Sequence, residues 1–234
     1  MSLTLTNIPG IMRSKGWNNG ARLLEVWFSR SGAIAPAYGP PDTSTVRMDR
    51  WALTFSRARQ VYDQLMREQI WANPPAQREI AAMLRRRGLL SSGGQSFGNL
   101  TRPIQDMDAD YINYRTVDFS LSDLDDMTAA LGNFTFRVIV AGSVEPLRGR
   151  SGHRVTIQQV GVYIRDSFDF NGDQFLGYWD DSDNSVSMFN PLSGTRVDNA
   201  DFRAWRTSNG RGGDFLVFSD VKLTNLTSPS SFSV

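Results

Sequence analysis

The sequence has no cysteine. Disulfides, thiolate metal sites and a cysteine nucleophile are therefore excluded, as expected of a chain folded in a reducing cytoplasm. It has a single histidine, His153, so a multi-histidine zinc site is excluded too. A Ser-His-Asp triad would have to use that residue. The preceding Arg148-Gly149-Arg150-Ser151-Gly152 reads as a turn with His153 exposed on it. Long apolar runs are also missing. Stretches such as Val138 to Ala141 fall far short of the ~20 residues that span a bilayer, and Met1 to Gly10 has neither the basic residues nor the apolar run of a secretory signal. The expected location is cytoplasmic as synthesised, with any export following a route that needs no signal peptide. No P-loop and no GxGxxG is present, which removes the nucleotide-binding classes those motifs define.

Against these absences stand 234 residues, enough for one sizeable core or two small ones. The formal charge of +1 conceals an asymmetry: residues 1 to 100 hold 13 basic against 6 acidic residues, a surplus of +7, and residues 101 to 234 hold 12 against 18, a deficit of −6. Contact between the halves, or with partners of opposite sign, is favoured by such fields. The densest basic run, Arg85-Arg86-Arg87, lies at a helix end and reads as solvated there. It lacks the groove-entering motif or aromatic platform of a nucleic-acid binder, so nucleic acid is not an expected partner.

Periodicity divides the chain into a helical region, residues 1–90, and a β-rich, mainly antiparallel domain with one inserted helix, residues 97–234; the fold class is α+β. The first predicted helix follows Gly16 to Gly20 with Asn18 or Asn19 as cap and Leu23, Leu24, Trp27 and Phe28 on one face. Proline-rich Ala33 to Thr43 reads as a loop. A helix is predicted over Asp49 to Trp71, ended by Asn73-Pro74-Pro75, and another over Gln77 to Leu89, closed by Gly88. Ser91 to Ser96 reads as the linker. Strands are predicted at Tyr111 to Phe119, Phe134 to Ala141 and Arg154 to Arg165. Shorter ones follow at Phe175 to Trp179, Ser185 to Phe189, Phe202 to Arg206 and Phe215 to Leu223, with turns at Asn171-Gly172, Ser193-Gly194 and Asn209-Gly210. The inserted helix, Ser120 to Leu131, begins with a capping-box pattern at Ser122 and Asp125. Tyr178, Trp179, Phe189, Trp205, Phe215 and Phe218 read as core.

Chemistry-bearing side chains concentrate between Arg165 and Asp181. A turn at Asn171-Gly172 would gather Asp166, Asp169 and Asp173, and clustered carboxylates repel, which raises one pKa for acid–base work or captures a cation. Asp169, Asn171, Asp173 and Asp180 fall at positions 1, 3, 5 and 12 of a calcium-loop register, so calcium or magnesium is the expected cation. Position 6, where a calcium loop turns on glycine, is Gln174. The competing reading is that these Asp, Asn and Gly residues only form turns between core aromatics.

Ile8-Pro9-Gly10-Ile11-Met12, Gly16-Trp17, Trp27-Phe28-Ser29-Arg30, Arg165 to Gly172 and Leu176-Gly177-Tyr178-Trp179 together resemble a proteobacterial family, without settled activity, that is often encoded near type VI secretion genes. The resemblance implies a setting of interbacterial competition, with a secretion-system component or a cognate toxin or immunity protein as partner. Asp166-Ser167-Phe168-Asp169 is locally similar to the Asp-x-Tyr-Asp core of colicin M-type bacteriocins, which cleave an undecaprenyl-linked peptidoglycan precursor. That likeness implies Asp166 and Asp169 as catalytic carboxylates. Phe168 stands in place of the tyrosine, and Phe175-Leu176 occupies the place of the His-Arg pair that follows it. Two expectations result: a toxic effector hydrolysing a cell-envelope substrate through Asp166 and Asp169, and a non-catalytic immunity, adaptor or structural binding protein.

Overall fold

Helix begins earlier than the glycine punctuation predicts. In the computed structural model, which describes residues 3–34 and 38–234, a helix α1 (Ile8–Ser14) precedes α2 (Asn18–Ser29), α3 (Ser56–Arg67) and α4 (Pro74–Arg86). The rest runs β1 (Gln95–Phe97), α5 (Ile104–Met107), β2 (Asn113–Val117), α6 (Asp126–Leu131), β3 (Phe134–Pro146), β4 (His153–Phe168), β5 (Phe175–Asp180), β6 (Ser185–Ser187), β7 (Thr195–Asp198), α7 (Asn199–Asn209), β8 (Phe215–Phe218) and β9 (Lys222–Ser233). The class is α+β, a helical N-terminal half followed by antiparallel sheets. Part of the predicted Ala33 to Thr43 loop, residues 35–37, lies outside the described residues.

The larger sheet has the order β1-β3-β4-β8, with β2 also paired to β3 and β9 to β4; the smaller has the order β6-β5-β7. Strands β3 and β4 form a long antiparallel pair with Val138 opposite Val162 and Val140 opposite Val160, shifting register between Ala141 and Gly142. Gly142 is required at that bulge, because a Cβ there would lie 1.9 Å from the Thr156 carbonyl oxygen.

Two compact units are formed, and the chain passes between them five times: residues 1–46, 118–134 and 166–217 build one, and 47–117, 135–165 and 218–234 the other. Ser91 to Ser96 lies inside the second unit. There it is held by a 2.8 Å hydrogen bond between the Ser91 carbonyl and Nε2 of His153, which is half-buried at the start of β4 rather than exposed.

The first unit is organised on Trp27, which is fully buried. Phe170 and Phe202 stack on each other at 3.9 Å and both meet the indole edge-on, at 4.9 and 5.6 Å. The indole N–H donates to the Asp214 carboxylate at 2.9 Å, and the same carboxylate accepts from the Arg206 guanidinium. Helix α2 needs neither Asn18 nor Asn19 as a cap: Asp126 accepts the backbone N–H groups of Gly20 at 2.9 Å and Asn19 at 3.3 Å. Close approach of α2 to α6 permits this, since Gly20 leaves room for Ala129 where a Cβ would sit 2.6 Å from it.

In the second unit α3 and α4 bury Tyr62, Leu65, Ile80 and Leu84, with the Tyr62 ring 6.1 Å from Phe136 of β3. Tyr163 of β4 is fully buried, and its hydroxyl donates to Asp108 at 2.5 Å. Arg137 donates to the two oxygens of that carboxylate at 2.8 and 2.9 Å and lies over the Tyr111 ring at 4.0 Å.

Several predicted elements are corrected. The helix expected over Asp49 to Trp71 is confined to Ser56–Arg67: Phe55 is extended before it, and Gln69 adopts positive φ after it. Pro74 and Pro75 begin α4 instead of only ending its predecessor, because proline fits the first helical turn, where no amide donor is needed; Asn73 caps it by accepting the Ala76 N–H at 3.0 Å. The inserted helix is cut to Asp126–Leu131 with Asp125, not Ser122, as cap. Phe202 to Arg206, predicted as a strand, is the middle of α7. A capping box at Asp198 and Asp201 starts that helix and left-handed Gly210 ends it, which outweighs the aromatic strand signal. The strand predicted over Phe215 to Leu223 is two strands interrupted at Ser219 to Val221. Phe189, predicted as core, is 69% exposed.

Candidate functional site

The end of β4 sets the geometry of the acidic segment. Phe168 and Phe170 both turn into the first unit and are buried, so the intervening Asp169 is left half-exposed at the surface. Its Oδ2 accepts from the Ser167 hydroxyl at 2.6 Å, and its Oδ1 accepts from the Asn171 backbone N–H at 3.1 Å, an Asx turn. Ser167 is also 2.6 Å from the Tyr38 hydroxyl. Since the single Ser167 proton goes to Asp169, Tyr38 is the donor to Ser167, and the three form a relay of hydrogen bonds ending on the carboxylate. Asp166 is half-buried on the last residues of β4.

The four residues in calcium-loop register are not brought together. Asn171 is exposed, and its carbonyl accepts from the Asn199 side chain at 2.6 Å. The side chain of Asp173 is 98% exposed and approaches Arg203 at 3.4 Å. Asp180 closes the next turn by accepting from the backbone N–H and hydroxyl of Ser182 at 2.7 and 2.6 Å, hydrogen bonds that hold its carboxyl below the usual carboxylate range. Among the described residues no group of three or more acidic or histidine side chains is placed to hold a metal ion. The reason is topological. A calcium loop curls its ligands around one point, whereas here Gly172 turns the chain once and β5 then runs extended from Phe175 to Asp180, carrying the last carboxylate roughly 16 Å along the strand.

What the segment does build is an apolar pocket inside the first unit, about 130 Å³ in volume. Phe168, Phe170, Leu176 and Trp179 line it together with Ile8 and Met12 of α1 and Met188 beyond β6. The Trp179 indole is fixed by its N–H bond to the Leu176 carbonyl at 2.9 Å. Thr128 and Gln174 are among its few polar linings. A dry apolar cavity of about 150 Å³ takes a benzene-sized group, so this pocket is matched to a single ring or a branched aliphatic side chain. Next to Met188, the β6–β7 connection exposes Phe189 at 69% and Leu192 at 95%. Sequence reasoning missed this feature because aromatic residues near strand ends ordinarily face the core. The only available signal was the Asn190-Pro191 step, which starts a short turn at Leu192 after β6 has ended at Ser187.

The sequence matches a family of unknown function, DUF6402, over residues 3–195 and 193–234. The chain belongs to that family. No curated protein and no solved structure matches it. Among the described residues no helix is long and apolar enough to cross a membrane.

Proposed function

We propose that this chain is a non-catalytic binding protein that recognises a partner protein through the apolar pocket of its first unit and the Phe189–Leu192 loop beside it. One observation carries this reading: a loop that exposes two large apolar side chains lies next to Met188, which lines a pocket sized for a partner's ring or branched side chain. Paired exposed and concave apolar features are what binding hot spots are made of, whereas single exposed apolar residues mean little. The turn chemistry of the acidic segment supports it as well, because Asp169 and Asp180 are engaged in local caps. The resemblance to proteins encoded near type VI secretion genes supports interbacterial competition as the setting, with a secretion component or a cognate toxin or immunity protein as the partner.

The effector reading, in which Asp166 and Asp169 hydrolyse an envelope substrate, predicts a different result in one experiment. The chain is expressed in the cytoplasm and, separately, with a periplasmic signal, and growth is recorded alone and beside neighbouring toxin genes. For the binding protein, any rescue or growth effect survives Asp166→Asn and Asp169→Asn and disappears in the Phe189→Ser/Leu192→Ser double variant. Compartment-specific killing abolished by either Asn variant, with unchanged thermal stability, overturns the proposal in favour of the effector.

A further inference from the structure

A second concave site lies wholly within the other unit, and its chemistry is cationic. Helix α4 ends on Arg85 and Arg86 with Arg87 as its C-cap, and Arg102 reaches the same point from the segment before α5. Arg86, Arg87 and Arg102 converge on one carboxylate, Asp110, whose side chain is only 14% exposed. Arg87 occupies both of its oxygens: Nε donates to Oδ1 at 3.2 Å and Nη2 donates to Oδ2. Arg102 and Arg86 are drawn to the same carboxylate but stop at 3.5 and 3.7 Å, at or beyond the limit of a hydrogen bond. Three guanidinium charges therefore share one negative charge. The α4 C-terminus offsets roughly another half charge, which leaves a surplus above +1 at a place where two of the three forks lack a close oxygen partner in Asp110.

That surplus faces a cavity. Arg87, Arg102 and Asp110 line a pocket of about 280 Å³, together with the polar Asn99 and the apolar Phe97 and Ile139. Arg102 is held in place by its Nε bond to the Asn99 carbonyl at 3.3 Å. A purely structural role for the cluster would need neither the cavity nor the second and third arginine, because Arg87 alone already bonds both oxygens of Asp110 and balances its charge.

We propose that this pocket binds a small phosphate monoester, its phosphoryl oxygens on Arg102 and on the N–H groups of Arg87 not given to Asp110, with Arg86 adding its charge from the far side of that carboxylate's ion pairs, and its organic body against Phe97 and Ile139. Guanidinium forks match phosphate oxygens geometrically, and the charge of about −1.5 to −2 on a monoester at pH 7 complements the surplus better than a monocarboxylate does. The site is separate from the pocket of the first unit and stands or falls independently of it.

The test uses the full chain and four probes, namely phenyl phosphate, inorganic phosphate, benzoate and phenol, titrated calorimetrically at low salt. Phenyl phosphate is expected to bind saturably and at least about fivefold more tightly than phosphate or benzoate, and phenol not at all. Arg102→Gln weakens phenyl phosphate by about tenfold or more, the loss of one charge-assisted hydrogen bond, and Arg86→Gln weakens it by less. Arg115→Gln, which removes an exposed cation paired with Glu68 at 2.8 Å, leaves it unchanged. Absence of saturable phenyl phosphate binding at 10 mM, benzoate binding as tightly as phenyl phosphate, or equal affinity in Arg102→Gln and the native chain overturns the proposal. Should Arg102→Gln fail to fold, the ratio between Arg86→Gln and Arg115→Gln decides, and equal affinities in those two overturn it.

Discussion

Replacing Arg206 by Met tests the energetic centre of the first unit. The Asp214 side chain is fully buried and that of Arg206 is 10% exposed. The pair is tied in further by the Trp27 N–H on Asp214 at 2.9 Å and by Arg206 Nε on the Gly212 carbonyl at 2.6 Å. Removing one partner of a buried pair leaves an uncompensated charge and costs about 3–5 kcal/mol, while removing both with shape kept is far cheaper. Arg206→Met should therefore lose about 3–5 kcal/mol, and Asp214→Asn a comparable amount because it strands the guanidinium. The double variant should cost no more than either single. Since a domain's whole stability is about 5–15 kcal/mol, these are large fractions of it. Urea unfolding followed by tryptophan fluorescence measures all three, and the double-mutant cycle gives the coupling directly. Additive losses, or single losses under about 1 kcal/mol, would refute the argument that this pair is a mutually dependent buried unit.

Tyr163 is held protonated by burial and by its hydrogen bond to Asp108, so its pKa lies above the ordinary value. The stability it contributes is complete below pH ~10 and falls by about 1.4 kcal/mol per pH unit above that; Tyr163→Phe should flatten the alkaline limb of a stability–pH curve, and an unchanged limb would count against it. Asp169→Asn should leave the melting temperature nearly unaltered because Asn also closes an Asx turn, whereas Asp169→Ala should cost about 1 kcal/mol. Calcium or magnesium at millimolar concentration should leave the melting temperature where it is, since no folded-state site gathers the four residues in calcium-loop register; a rise abolished by Asp169→Asn would show otherwise. Gly212→Ala should lose about 1–3 kcal/mol in the same urea assay, because its Cβ would lie 2.5 Å from the Trp27 ring at a φ of +95°.

The order of helices before strands was legible because it rests on periodicity within short windows. Leu65, Ile80 and Leu84 are buried as their spacing predicts, and Val138, Val160 and Val162 occupy the long strand pair. Element ends were less legible where a distant residue makes the decision. Nothing near Gly20 announces that the carboxylate of Asp126, 106 residues away, will accept its N–H. The misread α7 failed for a local reason instead: Phe202 and Trp205 carry a strand signal, while the capping box and Gly210 that overrule it lie outside the aromatic window. The division into units is non-local throughout, each being assembled from three stretches of chain.

The carboxylates of the acidic segment are close in sequence, yet proximity along a turn is what lets Asp169 and Asp180 each satisfy an N–H two residues on and thereby stay apart from the others. Convergence requires the opposite arrangement, residues too far apart to bond locally and brought together by packing. Arg87 and Asp110 are 23 positions apart, with Arg102 arriving from a third segment. The sequence did contain the general cause, a first hundred residues of surplus +7 facing a remainder of −6. Within the second unit that imbalance becomes specific pairs: Arg86 and Arg87 on Asp110, and Asp49 with Lys222 at 2.6 Å running against the trend. Where arginines outnumber the one carboxylate within reach, the imbalance persists as a local field, and a field over a cavity selects an anion for the same reason that it selected Asp110.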